Sequence, residues 1–140
     1  MQGTRDLAAF LSAPAAVAYQ EARDWETVRE RCHVLAVEAR DRIAALTGLP
    51  QIAPVESRDG YRWFRQMAVA PLPEGIDGKA LKRRLYDEYR VEAPVTCWDE
   101  KPFIRVSFQG YNTWSDLEAL ISALEKLLPE MTPVYGSVVA

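Results

Sequence analysis

One stretch of the sequence, Phe103 to Leu128, carries the signals for a strand, a turn and a helix in direct succession. The strand is indicated by β-branched and aromatic residues at Phe103, Ile104, Val106 and Phe108. A chain that contains this stretch is expected to combine a sheet with helices that cover it. The helix is indicated by apolar residues at helical spacing along one face: Leu117, Leu120, Ile121, Leu124, Leu127 and Leu128.

A turn and a helix cap separate the strand from the helix. The residues Gln109-Gly110-Tyr111-Asn112 interrupt the apolar run and end the strand. Thr113 and Asp116 then have the spacing of a capping box, in which each side chain accepts a hydrogen bond from the other residue's backbone N–H. The pair therefore predicts where the helix begins.

One charged residue lies in the middle of the apolar strand. Arg105 stands between Ile104 and Val106. A guanidinium group keeps its charge in proteins and carries five hydrogen-bond donors, so it must face solvent or bind an anion. We take Arg105 as the candidate anion contact of the chain; the alternative is a strand residue that faces solvent only.

Length, charge and hydropathy exclude several classes of protein. With 140 residues, the chain predicts one domain over residues 1–128 and a tail over 129–140. A net charge of -3 with both signs interspersed gives no basic surface for nucleic acid. There is no apolar run long enough to cross a membrane, and the first residues lack the order of a signal peptide. We therefore expect a cytoplasmic protein without nucleic-acid or membrane partners.

The cysteines and the single histidine give no sign of catalysis. Cys32 and Cys97 are too few for a disulfide scaffold, and both are expected to be buried, reduced thiols, one on a helix and one in a strand. His33 lies beside the apolar face of its helix, and no nearby Asp, Cys or Ser forms a relay with it. We expect a structural role for His33.

Two helices are predicted in the first third of the chain. The first runs from Leu7 to about Arg23, is rich in alanine, and is expected to bend or restart at Pro14. Its small side chains suit either close packing within the domain or an interface with another protein. The second begins after Asp24, a plausible N-cap, and is ended by Gly48 and Pro50. Its apolar face consists of Val28, Cys32, Leu35, Ala39, Ile43 and Leu46.

The middle of the chain is predicted to add two strands and one helix. A strand is expected near Trp63–Pro71, a helix over 79–90, and a second strand over Val91–Trp98. Pro94 makes that second strand an edge strand or a bulged one. The polar residues 99–102 predict a hairpin turn, which would place it antiparallel to the strand of Arg105.

The order helix, helix, strand, helix, strand, strand, helix predicts an α+β fold. We expect a two-layer sandwich in which a small, mainly antiparallel sheet of about three strands is covered by helices on one face. Near the first strand, Arg58, Arg62 and Arg65 form either a small basic patch or a set of solvated strand edges. The solvated edge is the simpler interpretation.

Motifs of self-sufficient active sites are absent from the sequence. It contains no glycine-rich phosphate loop, no zinc-binding HExxH, no CxxC and no GxSxG. The acidic residues lie mainly on predicted helix faces, where solvation explains them. From the residues alone, the chain is a stable domain with one candidate contact for an unspecified anion and no metal site.

Several segments together resemble the C-terminal small domain of class V, fold-type I pyridoxal-phosphate enzymes, in the isopenicillin N epimerase-like branch of aminotransferases. The resemblance extends from Gly3 to about Leu128, and its most specific parts are GTRD and the R-V-S-x-Q-x-Y-N block. It implies a small α+β domain of a dimeric enzyme that binds an amino-acid substrate. The matching segments are GTRD with AAFLSAPAAVAY, DWETVRERCHVLA, FRQMAVAPLP, KALKRRLYDEYRVEAPV and IRVSFQGYNTWSDLEALISAL.

The resemblance also implies roles for three residues. It gives Arg105 the role of binding the α-carboxylate of the substrate, and bidentate binding of a carboxylate suits a planar guanidinium. It gives Gly3 and Thr4 a contact with the cofactor phosphate of the other subunit, and backbone N–H groups with a hydroxyl at a helix start suit that contact. Thr4 can serve as a helix N-cap at the same time.

The chain departs from the family in what it lacks. The resemblance places the cofactor lysine and most of the phosphate-binding site in a large domain that precedes this one, so the chain alone is expected to bind no pyridoxal phosphate. A cysteine desulfurase is disfavoured, because Cys97 is eight residues before Arg105 and leaves no room for a mobile catalytic loop. The lysines in segments that match the small domain are not assigned to the cofactor: Lys79, Lys82, Lys101 and Lys126.

Two hypotheses of function remain. The first is the C-terminal domain of an aminotransferase or epimerase, which supplies the carboxylate-binding arginine, closes the active site and needs a separate large domain. The second is a non-enzymatic α+β module that binds a protein or a small anionic ligand. The apolar side of the helix over Leu7–Arg23 discriminates between them, because a module could bury it in a second copy of itself.

Overall fold

A computed structural model describes residues 7–132 of the chain. Its seven elements follow the predicted order of helices and strands. The α+β prediction is confirmed. The elements are α1 (Ala8–Glu21), α2 (Trp25–Thr47), β1 (Met67–Pro71), α3 (Gly78–Tyr89), β2 (Val95–Trp98), β3 (Lys101–Ser107) and α4 (Trp114–Met131).

The three strands form one antiparallel sheet in the order β1-β3-β2. The strand of Arg105 is therefore the central one, and β2 is an edge strand, as Pro94 predicted. Arg105 pairs with Val69 of β1, and Ile104 pairs with both Ala70 of β1 and Val95 of β2. Both neighbours of β3 fix its register, so the orientation of each side chain on β3 is strongly determined.

The sheet has one face covered by helices and one open face. Along β3, Pro102, Ile104 and Val106 are buried, whereas Lys101, Arg105 and Ser107 between them are exposed. This alternation places the first set against the helices and the second set on the opposite side. The open face, as the term is used below, consists of Met67, Val69, Pro71, Thr96, Trp98, Lys101, Phe103, Arg105 and Ser107.

The covered face packs mainly against α2 and α3, and α4 packs against these two helices. The apolar faces predicted for α2 and α4 contribute to the core, in which Leu35, Ile43, Leu117 and Leu124 are completely buried. Leu46, also predicted on the apolar face of α2, is exposed, because it lies in the last turn of that helix. The capping box of α4 is present as predicted, since the Asp116 carboxylate accepts from the backbone N–H of Thr113 at 2.7 Å. α4 continues through Pro129 to Met131, beyond the expected end of the domain at residue 128.

Both outer strands are shorter than their sequence patterns predicted. β2 begins at Val95, directly after Pro94, because proline has no N–H to donate to a strand ladder. The carbonyl of Pro94 still accepts from the backbone N–H of Arg105 at 2.9 Å. β1 begins at Met67 instead of Trp63, because Val55 and the residues before Met67 form a short irregular hairpin with a single bridge between Glu56 and Arg62.

The predicted burial of Cys97 is wrong, and two other local predictions differ in detail from the structure. Cys97 is exposed, because it lies near the end of the edge strand β2 beyond the cover of the helices, whereas Cys32 is buried as expected. Asp24 stands at the N-cap position of α2 but has a positive φ of 44° and accepts no capping hydrogen bond. α1 does not restart at Pro14; it is continuous from Ala8 to Glu21.

The turn between β2 and β3 consists of two residues with positive φ. Asp99 has φ 50° and Glu100 has φ 61°. Two successive residues of this kind form the tight hairpin turn whose twist matches that of the strands, a turn in which glycine usually takes the second position. The predicted hairpin is confirmed, although Lys101 and Pro102 belong to β3 and not to the turn.

α1 contributes nothing to this core. None of its fourteen residues is buried. Its large apolar side chains are exposed, with Phe10 at 63% and Leu11 at 76% of full accessibility. Its link to the rest of the described chain includes an edge-to-face contact between the rings of Tyr19 and Trp25, whose centroids are 6.1 Å apart. An alanine-rich helix with exposed large apolar residues is typical of an element that another protein surface covers.

Candidate functional site

Arg105 lies on the open face of the sheet, in the middle of its central strand. Its side chain is exposed, and its guanidinium makes no hydrogen bond or ion pair with any residue between 7 and 132. By contrast, Arg42 binds Glu118, Arg62 binds Glu30, and Arg84 binds Glu88. The five donors of Arg105 are therefore available to an anion.

Arg105 lines a groove with a volume of about 500 Å³, called the Arg105 groove below. This volume is within the range of small-molecule sites, about 300–1,000 Å³. One wall is the segment 89–94, which joins α3 to β2; the other is the end of β3 with the first turns of α4. The remaining lining residues are Val106, Ser107, Phe108, Tyr111, Asn112, Asp116, Ala119 and Leu120.

The turn that follows β3 is fixed to α2. Arg31 donates a hydrogen bond to the carbonyl oxygen of Gly110 at 2.8 Å. A Cβ atom at Gly110 would come within 3.2 Å of the Val28 side chain and 3.5 Å of the Trp25 ring, so the turn lies close against the helix. The turn thus places Tyr111 at the mouth of the groove, where its ring is 81% exposed.

Hydrogen bonds within the turn hold its shape. The Asn112 side chain accepts from the backbone N–H of Gln109 at 2.9 Å, and the Gln109 carbonyl accepts from the backbone N–H of Asn112 at 2.9 Å. Gln66 also donates to the carbonyl of Phe108 at 3.0 Å. The Q-G-Y-N segment, which the sequence presented only as a strand breaker, is therefore a hydrogen-bonded turn whose Tyr111 and Asn112 line the Arg105 groove.

The capping box of α4 limits the charge in this region. Asp116 lines the groove, but its carboxylate accepts from the backbone N–H of Thr113 at 2.7 Å and from the Thr113 hydroxyl at 3.2 Å. These hydrogen bonds commit the carboxylate to the helix start, and Glu92 is the other carboxylate in the groove lining.

His33 and Arg40 hold the segment before β1 against α2. His33 Nδ1 is 2.9 Å from the carbonyl oxygen of Arg65, and its ring packs on Phe64 with centroids 5.5 Å apart. Arg40 donates to the carbonyl of Ala53 at 2.8 Å, and its guanidinium lies 4.9 Å from the centroid of the Phe64 ring. Both side chains are buried, and these contacts are structural ones, as expected for His33.

Of the three arginines near β1, Arg62 is paired with acidic residues. Arg62 forms a bidentate pair with Glu30 at 2.6 and 2.9 Å and lies 4.0 Å from Glu56. The Arg62 guanidinium holds the pKa of the Glu30 carboxyl below its ordinary value. This pairing neutralises Arg62, whereas Arg58 and Arg65 are exposed; all three precede β1 and do not lie on an edge of that strand.

No described lysine belongs to the Arg105 groove. Lys79 and Lys82 lie on the surface of α3, and Lys101 is exposed at the start of β3. The Lys126 ammonium group lies 5.7 Å from the centroid of the Tyr89 ring. The Arg105 groove thus lacks the lysine that pyridoxal phosphate needs, whereas Lys79 and Lys82 line a separate surface pocket.

The remaining predictions concern the cofactor-phosphate contact, metal sites and membrane-spanning helices. Gly3 and Thr4, the candidate contacts to the cofactor phosphate, lie outside the described residues. Within 7–132, no group of three His, Cys, Asp or Glu side chains could hold a metal ion. No helix of the described chain is both long and apolar enough to span a membrane.

The chain is similar over nearly its whole length to two enzymes of known name. The chain is 35% identical over 126 residues to isopenicillin N epimerase of Amycolatopsis lactamdurans, and 30% identical over 129 residues to the enzyme of that name from Streptomyces clavuligerus. The alignments include 90% and 92% of this chain, which spans 31% of the length of each relative. No protein-family model matches the chain.

A solved structure is similar to this chain in fold. Alanine–glyoxylate aminotransferase from Nostoc sp. superposes on 68% of this chain with a TM-score of 0.51 and 26% sequence identity. The chain matches the C-terminal small domain of class V, fold-type I pyridoxal-phosphate enzymes. The superposition includes 24% of the aminotransferase chain, in keeping with a match to one domain of a larger enzyme.

Among the residues lining the groove, sequence reasoning identified Arg105 and missed Arg90. Arg90 stands at the C-cap of α3 with φ 58°. Its position at the end of an amphipathic helix gave it the appearance of an ordinary solvated residue. The available signal was its place directly after the last apolar residue of that helix, where glycine or asparagine is usual.

Proposed function

We propose that this chain is the carboxylate-binding domain of a pyridoxal-phosphate enzyme that epimerises or transaminates an amino acid. Arg105 binds the α-carboxylate of the substrate, and the domain closes over a cofactor held by a separate large domain. The observation that carries this proposal is the unpaired guanidinium of Arg105, exposed on the central strand and lining a groove of ligand size.

The placement of Arg105 suits this role physically. β3 is bonded on both sides, so the backbone that carries the arginine is held in a fixed register. A guanidinium on such a strand binds a carboxylate through two parallel N–H···O bonds and so fixes its orientation as well as its position. Orientation of the substrate over a cofactor is the contribution that a positioning group makes to such a reaction.

The exposed α1 supports a domain that packs against further protein. Its apolar side chains, among them Phe10, Leu11 and Val17, need a cover that residues 7–132 do not provide. We assign that cover to the large domain of the same enzyme. For Gly3 and Thr4 we propose a contact with the cofactor phosphate in the partner subunit of an assembled dimer. The alternative, a non-enzymatic module, would bury α1 in a second copy of the chain.

A titration with a simple carboxylate tests the role of Arg105. The ¹⁵N-labelled chain is titrated with propionate at low ionic strength, where exposed charges are screened least. We expect amide shifts at Arg105 and its neighbours on β3, and their loss in Arg105→Gln. Arg83→Gln is the matched control, because Arg83 is also exposed, lies outside the groove and makes no ion pair among the described residues. Equal shifts in all three proteins would refute the proposal.

A second test concerns catalysis by the chain alone. The chain is mixed with pyridoxal phosphate, reduced with borohydride and digested for mass spectrometry. We expect only low, scattered labelling of exposed lysines, since none lies in the groove. Stoichiometric labelling of one lysine would show that the chain holds the cofactor without a large domain.

A further inference from the structure

Arg90 occupies a backbone position that does not favour arginine. It follows the last residue of α3 and has φ 58°, and the next residue donates its N–H to the carbonyl of Leu85 at 3.0 Å. This is the pattern of a helix end in which glycine usually takes the left-handed position. The Arg90 side chain makes no hydrogen bond or ion pair with any described residue, so such contacts do not explain its presence there.

Arg90 and Arg105 line the same groove. Of the two carboxylates in its lining, Asp116 is committed to the cap of α4, and Glu92 has no described partner. The uncommitted charges are therefore two guanidinium groups and one carboxylate. A ligand with two negative groups and one positive group complements that arrangement.

The chain geometry sets the distance between the two arginines. Pro94 lies beside Arg105, since its carbonyl accepts from the Arg105 backbone N–H at 2.9 Å. Arg90 is four residues before Pro94, and an extended backbone advances about 3.3 Å per residue, so the Cα atoms of Arg90 and Pro94 are at most about 13 Å apart. Because both arginines line one groove of about 500 Å³, a small organic acid bound there can contact both side chains.

We propose that Arg90 is a second anion-binding residue, and that the groove accepts an amino acid whose side chain ends in a carboxylate. This inference rests on the proposed function, in which Arg105 binds the α-carboxylate. Arg90 then binds the distal carboxylate and determines specificity for acidic over apolar side chains. Glu92 faces the same groove and disfavours ligands that carry only negative groups.

A series of straight-chain acids tests the second site. The dicarboxylates glutarate, adipate and pimelate are compared with pentanoate, hexanoate and heptanoate, which have the same numbers of carbon atoms. Dissociation constants come from amide shifts of the labelled chain at low ionic strength. We expect the best-fitting dicarboxylate to bind about fivefold more tightly than its matched monocarboxylate, the gain typical of one exposed charge contact.

Three variants separate the two sites. Arg90→Gln should remove the preference for dicarboxylates and leave monocarboxylate binding unchanged, whereas Arg83→Gln should leave both unchanged. Equal binding of the two series by the unaltered chain, or an unchanged preference in Arg90→Gln, overturns the role of Arg90. If Arg105→Gln still loses all binding in that case, the proposed function stands without the second site. If Arg105→Gln binds monocarboxylates normally, the proposed function itself is wrong.

Discussion

Two adjacent residues of β3, Ile104 and Arg105, allow the two faces of the sheet to be tested separately. Ile104 points into the core and has no exposed surface, whereas Arg105 lies on the open face and has no described partner. We predict that Ile104→Ala strongly destabilises the fold and that Arg105→Gln does not. The second half of this prediction follows from a binding role, because an arginine that stabilised the fold would already have an intramolecular partner.

The expected magnitude follows from the buried atoms. Ile104→Ala removes three carbon atoms at about 0.8 kcal/mol each, or about 2.4 kcal/mol, and the cavity adds to this, which gives a total of about 3–4 kcal/mol. Ile104→Val removes one carbon and should cost about 1 kcal/mol. Arg105→Gln should change the free energy of unfolding by less than about 0.5 kcal/mol, as is usual at the surface.

Urea unfolding followed by tryptophan fluorescence measures these differences. A loss of about 3 kcal/mol, at a slope of about 1.5 kcal/mol per molar urea, moves the midpoint by about 2 M. Unchanged slopes for all variants would show that the comparison is valid. A loss of more than about 2 kcal/mol in Arg105→Gln would refute the reasoning, since the guanidinium would then be part of the structure.

Three further predictions concern stability. The Arg42 guanidinium, which bridges to α4, holds the pKa of the Glu118 carboxyl below its ordinary value of 4.5. Because the pKa is lower in the folded state, this stabilisation is present above about pH 5 and is lost as the pH falls through the folded value. The urea midpoint should therefore fall between about pH 5 and 3, and it should fall less steeply with pH in Glu118→Gln. An equal pH dependence of the midpoint in the two proteins would contradict this. Asp77 accepts hydrogen bonds from two backbone N–H groups of α3 at 2.9 and 3.0 Å. Asp77→Ala should therefore lower the free energy of unfolding in urea by about 0.5–2 kcal/mol, and Asp77→Asn should lower it much less. Equal losses in the two variants would exclude a capping role. Glu100 has φ 61°, a conformation that costs a residue with a side chain about 1–2 kcal/mol. Glycine avoids that cost but loses about 0.5–1 kcal/mol more backbone entropy on folding, so Glu100→Gly should raise the free energy of unfolding by about 0.5–1 kcal/mol. A decrease in urea unfolding would contradict the assigned turn.

Much of the fold could be predicted because its signals are local. The apolar spacing in α2 and α4, the capping box at Thr113 and Asp116, and the effect of Pro94 on β2 each depend on a few neighbouring residues. The burial of Cys97 and the strand around Trp63 were predicted wrongly because both depend on which helix covers which part of the sheet. That arrangement is a tertiary property, and sequence periodicity does not contain it.

The candidate site could likewise be predicted only in part from the sequence. Arg105 could be identified because a charge between Ile104 and Val106 is anomalous within its own strand. The groove could not, because its walls come from the segment 89–94 and from the turn at Tyr111, which are distant in sequence from each other. The hydrogen bond from Arg31 to Gly110, across 79 residues, is likewise outside the reach of local patterns.

The most direct test of the central claim observes the Arg105 side chain itself during binding. The Nε–Hε signal of Arg105 in the ¹⁵N-labelled chain is assigned by its loss in Arg105→Lys and followed while propionate is added. The account predicts a saturable downfield shift of this proton, typical of a charge-assisted hydrogen bond to a carboxylate, while the Arg83 signal stays in place. An Arg105 signal that does not move, or that moves only as much as that of Arg83, would contradict the claim that this arginine binds the substrate carboxylate.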